Sequence, residues 1–331
     1  MDYINYVKQY PISMGGMGGT IGGFNFHSGS AEVTAFRGNR GIISLKTYSS
    51  TKYNNIDYYN LSTPSNAIDF GDLTVARGYG GSVAGGGGPT SSRGVFGAGS
   101  GPSGGTNIMD YITIGSTGNA TDFGDLNYAS NGLGGSCSNG IRGIFAHGYG
   151  NPSGYAAAGK IDYITISTTG NATSFGSIKS SGYWYTGSAN ASDLGRGVFA
   201  CGSPGAQTAY YIQISTEANA TNAGSLMQER MNCAAASDGT RGTWWGNHDN
   251  GAIDYLTLDS LGNSTDFGDM ATAVQYSAGT ANDTRGTANG GDNDDGYKSQ
   301  IQHVTIQTTG NATNFGNLTN ITRCSQGHSG D

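Results

Sequence analysis

The sequence predicts an all-β protein, a β-propeller of four-stranded blades, on three observations. First, an Asp-Tyr position and a Phe position thirteen residues apart recur six times, as Asp57/Phe70, Asp110/Phe123, Asp162/Phe175, Tyr210/Ala223, Asp254/Phe267 and Gln302/Phe315. Second, the unit recurs after 53, 52, 48, 44 and 48 residues, so a fixed gap sits inside a variable period. That combination describes a rigid unit joined by adjustable loops, a tandem array. Third, 59 of 331 residues are Gly and only 12% are charged, while 10% are aromatic. Helix formers are scarce, and aromatics at matched positions argue against disorder.

Each repeat reads as four short strands in order. The first carries a small-residue pair, as in Gly80-Gly81-Ser82-Val83-Ala84-Gly85. The second is Arg-Gly followed by apolar residues, as in Arg93-Gly94-Val95-Phe96-Gly97 and Arg196-Gly197-Val198-Phe199-Ala200. The third is Ile161-Asp162-Tyr163-Ile164-Thr165-Ile166, and the fourth runs from Thr121 to Leu126. β-branched and aromatic runs bounded by Gly, Asn and Ser are strand signals, and the Gly-Asn step before the fourth strand suits a turn. A third strand apolar on both faces needs cover on both sides, which a radial stack of small sheets provides and an open sandwich does not.

The array is read as one domain over 1–331. Arg-Gly strands begin at Arg40, Arg93, Arg142, Arg196, Arg241 and Arg285, so 40–331 holds six tandem repeats. Met1-Asp2-Tyr3-Ile4 adds a seventh third strand, and Leu318 to Asp331 looks like a first strand with no Arg-Gly strand after it. Seven blades are therefore expected, with N- and C-terminal strands closing the ring and abolishing edges. The alternative is six blades, with 1–39 a partial blade or clasp.

Composition excludes several classes. A net charge of −7 and no Lys/Arg-rich run leave no footprint for nucleic acid. Apolar runs are too short to cross a membrane, and no secretory signal opens the chain. The four cysteines, Cys137, Cys201, Cys233 and Cys324, show no CxxC spacing and are read as free, small core residues.

The Gly-ended apolar strand, the Asp-Tyr strand and the aromatic in the last strand resemble kelch-type propellers, the family that includes the central domain of galactose oxidase. The usual Gly pair is broken here, as in Phe145-Ala146-His147-Gly148, and Phe stands in place of Trp. The phrase Ile-Asp-Tyr-Ile-Thr-Ile with Thr-Gly-Asn-Ala-Thr-Asp-Phe-Gly-Asp-Leu also resembles repeats in structural proteins of tailed phages, especially marine and cyanobacterial ones. The resemblance covers roughly 40–331 and is specific for the repeat. A fold does not carry a function with it.

No catalytic, metal or cofactor set is assembled in the sequence. An Asp repeated at Asp2, Asp57, Asp110, Asp162 and Asp254 is read as a blade residue, accepting backbone N–H groups or pairing with the Arg of the Arg-Gly strand. The Asn-x-Ser/Thr triplets are read as turn chemistry, and Asp292-Asn293-Asp294-Asp295-Gly296 as a hairpin tip. Candidate ligand-binding residues are the aromatics outside the repeat and their polar neighbours: Tyr183, Trp184, Tyr185, Trp244, Trp245, His248 and Asp249. Exposed, the rings would stack on sugars or anchor a protein partner; buried, they would fill blade contacts. Loops of variable length are expected on opposite faces. These readings, with the phage resemblance, point to a non-enzymatic virion protein of a tail fibre, tail accessory or capsid decoration. It would be assembled in the host cytoplasm and would bind other virion proteins or a host-surface glycan, with a homo-oligomer as a further expectation. A lectin propeller is the alternative, and a polysaccharide depolymerase a third reading.

Overall fold

The computed structural model describes residues 38–85, 92–148, 158–178, 189–192, 195–202, 206–247, 250–323 and 326–330, with only the backbone described over 189–192. All the larger sheets are antiparallel blades, and there are six of them among these residues. From inner to outer strand, blade 2 is Gly81–Gly85, Arg93–Gly101, Gly104–Thr113 and Thr121–Ser130. Blade 3 is Leu133–Ser138, Arg142–His147, Lys160–Thr165 and Thr173–Ser177, and blade 4 begins at Ala189–Ser192. Blades 5 and 6 begin at Ala234–Ser237 and Ala278–Ala281. In blade 1 the inner strand is the C-terminal Gln326–Gly330, paired with Arg40–Ser44, which leads to Asn55–Asn60 and Ile68–Asp72. The inner strands touch in the cyclic order of the blades and return to their start.

The expectation of seven blades is thus corrected to six. The orphan first strand at the C-terminus finds its Arg-Gly strand at Arg40, so one composite blade closes the ring. Met1–Ile4 and the rest of 1–37 lie outside the described residues.

The repeat motifs are interblade fasteners. Each Arg of the Arg-Gly strands reaches the carbonyl that ends the third strand of the next blade. Arg40 Nη1 donates to Ile114 O at 2.7 Å, Arg196 to Leu258 O at 2.7 Å, and Arg285 of blade 6 to Leu61 O of blade 1 at 2.5 Å. In blades 1, 2, 3 and 5 the same guanidinium lies over its own blade's tyrosine, 4.6 Å from the Tyr111 ring for Arg93 and 4.5 Å from Tyr163 for Arg142, and in blade 6 Arg285 lies over Phe315 at 5.5 Å. The glycine after the Arg is needed because an inner-strand side chain of the preceding blade rests on it. A Cβ at Gly143 would stand 2.6 Å from Val83 Cγ2, and one at Gly197 2.3 Å from Cys137 Sγ.

The turn Gly-Asn-Ala-Thr carries a second fastener. Asn119 Oδ1 accepts from Asp72 N at 3.0 Å, Asn171 from Asp125 N at 3.0 Å, and Asn66 from Asn317 N across the ring closure at 3.0 Å. The reading of these Asn residues as turn chemistry therefore has a partner for each side chain. The glycine of the Phe-Gly step lets the outer strand approach that turn. At Gly268 φ is +141°, and a Cβ would lie 2.5 Å from Gly310 O of the next blade. Gly268→Ala is expected to cost about 1–3 kcal/mol in backbone strain alone. Gly251→Ala, whose Cβ meets nothing nearer than 3.4 Å, is expected to be near neutral, and urea denaturation midpoints compare the two.

Hydrophobic clusters fill the gaps between neighbouring blades rather than the blades themselves. One joins Val95, Met109 and Phe123 of blade 2 to Phe145, Ile164 and Ile166 of blade 3. Another closes the ring, joining Ile43, Tyr59 and Leu61 of blade 1 to Ile301, Phe315 and Leu318 of blade 6. The Phe of the repeat meets the third-strand Tyr edge to face, as in Tyr111–Phe123 at 6.0 Å. This is why the thirteen-residue gap is constant: it is the path from one core position, round the turn, to its partner.

At the closure, His328 packs where Val83 and Cys137 sit in other blades, on Gly94 and against Phe96, 5.0 Å between rings. Neither ring nitrogen has a hydrogen-bond partner, and burial alone pushes its pKa down to about 3 from 6.5. Folded His328 thus stays neutral at a pH where the unfolded chain binds a proton. Stability is intact above pH 6.5 and falls as pH drops from there toward 3. At pH 4.5 the expected loss is about 2–3 kcal/mol. Thermal melts from pH 7 to 4.5 should fall less steeply for His328→Val than for the parent.

The cysteine expectation is corrected in part. Cys201 and Cys233 form a disulfide with Cα atoms 6.6 Å apart, whereas Cys137 is free and buried and Cys324 lies outside the described residues. Cys201 follows the second strand of blade 4, Arg196–Ala200, and Cys233 precedes the inner strand of blade 5, so the bond staples adjacent blades.

Candidate functional site

The repeated carboxylates are structural. Asp57, Asp110, Asp162 and Asp254 are buried, and each accepts a backbone N–H from the outer strand of the preceding blade or the residues just past it. Those donors are Thr319, Thr74, Asn127 and Met227, at 2.9 to 3.3 Å. Gln302 does the same neutrally, accepting from Thr272 N at 2.8 Å and donating to Thr272 O at 2.9 Å. Pairing with the Arg of the Arg-Gly strand is corrected. The buried cations are Lys46 on Asp57, Arg77 on Asp110 and Arg230 on Asp254, at 2.7 to 2.8 Å, while the partner of Asp162 is His147. The Arg of the repeat is held away from the carboxylate by its tyrosine and the next blade's carbonyl.

Ser130, His147 and Asp162 reproduce the residue types of a catalytic triad. Ser130 Oγ lies 2.7 Å from His147 Nδ1, and His147 Nε2 lies 2.9 Å from Asp162 Oδ2. All three have zero exposure between blades 2 and 3. A nucleophile must reach its substrate, and this serine reaches none. The trio is the blade 3 counterpart of the Arg77–Asp110 latch. Among the described residues no group of three or more His, Cys, Asp or Glu side chains could hold a metal ion.

The ring axis offers little room among the described residues. Small residues such as Ser82, Ala84, Ser136 and Ser138 leave a cavity of about 110 Å³, well below the 300 Å³ or more of a typical small-molecule site. The hydroxyls of Ser136 and Ser138 serve the neighbouring blade: Ser136 Oγ donates to Ser82 O and Ser138 Oγ to Ala84 O, both at 2.8 Å.

Of the candidate ligand-binding residues, Trp244 and Trp245 take the buried alternative: they are not stacking platforms but fill blade contacts. Both have zero exposure. Successive residues of a strand point to opposite faces, and a blade is covered on both, so Trp244 packs toward blade 4 and Trp245 toward blade 6. Trp245 Nε1 donates to Thr243 Oγ1 at 2.7 Å. Tyr183, Trp184, Tyr185, His248 and Asp249 lie outside the described residues. By connectivity, the first three join the outer strand of blade 3 to the inner strand of blade 4, and the last two join the second and third strands of blade 5.

Among the described residues, outer-to-inner and second-to-third strand connections share one face, which corrects the expectation of opposite faces. They hydrogen-bond to each other around the ring: Gly78 with Ser100, Gly202 N with Arg230 O, Gln275 with Asp292 and Thr47 with Arg323. The Cys201–Cys233 disulfide belongs to the same set. The uniform Asn turns occupy the other face, so sequence variation is concentrated on one side of the disc.

On the variable face, at the seam of blades 1 and 6, the sequence reading missed a cluster. Tyr48 lies on a short hairpin of Thr47–Tyr48 with Thr51–Lys52, and Tyr297 on a hairpin from Asp292 to Tyr297. Their rings are 4.8 Å apart, and Arg323 lies 5.2 Å over Tyr297 and 5.3 Å over Tyr276. The hairpin tip read at Asp292–Gly296 is present, with Arg323 Nη1 on Asp292 Oδ2 at 3.0 Å. The available signal was that neither Tyr48 nor Tyr297 has an equivalent in the other repeats.

Fold and site together define a six-bladed β-propeller with a uniform face and a variable one. No protein-family model and no curated protein matches the chain. No helix among the described residues is long and apolar enough to cross a membrane.

Proposed function

We propose that the chain is a non-enzymatic structural and attachment protein of a phage particle, part of a tail fibre, tail accessory or capsid decoration. It contacts other virion proteins or a host surface through its variable face. The observation that carries a binding role is the division of labour in the repeat. The buried carboxylates and the triad-like trio are engaged in holding blades together, while variation gathers on one face. The phage setting rests on the resemblance of the repeat phrase to phage structural proteins. Mass spectrometry of purified particles tests it: the chain is expected at a stoichiometric level, and its absence from particles removes the reading. A lectin activity is the second reading, favoured by the tyrosine cluster at the seam, whose Tyr48 is exposed. A depolymerase is disfavoured, and release of reducing sugar from host capsule would revive it.

A further inference from the structure

Tyr48, Tyr297, Arg323 and Tyr276 form a row of planar groups at the seam, each stacked or tilted on the next at 4.8 to 5.3 Å. We propose that this row is a saccharide-stacking site for a neutral hexose unit of a glycan chain; it deepens the attachment reading above and rests on it.

Three features favour that ligand. The first is accessible aromatic surface: Tyr48 is 45% exposed, and Tyr297 and Tyr276, each with Arg323 over its ring, are half-buried behind it. The second is rigidity. Thr47 and Arg323 exchange two backbone hydrogen bonds of 3.0 Å, and Lys298 N donates to Gly291 O at 2.8 Å, so both hairpins are anchored before a ligand arrives. A preformed tyrosine surface loses little entropy on binding. The third is polarity. Arg323 is neutralised by Asp292, while Asp294 and Asp295 are exposed at the hairpin tip as acceptors for sugar hydroxyls. A neutral polyhydroxylated ring with one apolar face matches this better than an anionic sugar, which those carboxylates would repel. Size separates a glycan from a protein. The row consists of two hairpin tips and one arginine, the footprint of one or two sugar rings, whereas a stable protein interface covers about 800 Å² per partner.

The test uses the full chain on a microarray carrying neutral and anionic glycans, followed by saturation-transfer NMR with the best neutral oligosaccharide. Binding to neutral hexose glycans is expected. Tyr48→Ala and Tyr297→Ala should each weaken it tenfold or more with an unchanged thermal midpoint. Ile141→Ala, an exposed residue in an inner-to-second-strand connection on the opposite face, should bind as the parent does. Three results overturn the proposal: no neutral glycan bound, binding confined to anionic glycans, or equal binding by Tyr48→Ala. A virion protein purified in complex with the chain and lost on Tyr48→Ala also overturns it, assigning the row to a protein interface. Detection of the chain in particles is independent of all these outcomes, so failure of the glycan site leaves the virion reading standing.

Discussion

A chain ending at Arg323 is expected to lose cooperative folding or to melt at a much lower temperature. Gln326–Gly330 is the inner strand of blade 1, and its removal strips the ladder from Arg40 to Ser44. It also uncovers Ile42, Ile43 and the Phe96 ring beneath His328, which are fully buried. At about 1.5–3 kcal/mol for each large apolar side chain, more than about 5 kcal/mol is lost before the unpaired backbone is counted. That is a large part of the total stability of an ordinary domain. A synthetic peptide of residues 324–331 added in trans should restore part of the transition. A truncated chain that melts with the parent would show that the ring does not depend on this strand.

Arg77→Ala is the second large effect. It leaves Asp110 buried without its cation, and losing one partner of a buried pair costs about 3–5 kcal/mol. Arg77 also donates Nε to Ala98 O at 2.9 Å, so part of the loss is hydrogen bonding. Blade 6 indicates the remedy, since Gln302 fills the same place without charge. Asp110→Gln in the Arg77→Ala background should recover a substantial part of the stability, and a double-mutant cycle by chemical denaturation measures it. If the double variant is no more stable than Arg77→Ala, the uncompensated charge is not the cause.

The readings that succeeded and failed divide by what a local pattern contains. Strand type, the four-strand unit and the structural role of the repeated Asp are written in neighbouring residues. The cations on that Asp are not, because Lys46, Arg77, His147 and Arg230 come from different points in their repeats. The Cys201–Cys233 bond likewise spans 32 residues without a spacing motif. Trp244-Trp245 stood out because they depart from their equivalents in the other repeats, which local pattern alone does not resolve into exposed or buried. In a blade covered on both faces they are two core residues pointing opposite ways.

Side-chain alternation and turn chemistry act over a few residues, so a tandem array of four-stranded units with both sheet faces buried is legible in the chain alone. The number of blades, six, the completion of the first by the C-terminal strand, and the shared face of the variable loops emerge in the folded ring. It alone brought Thr47 beside Arg323, 276 residues away. The physical reason is closure. Each interface sets its own small rotation between blades, and the sum around the ring decides which distant segments meet.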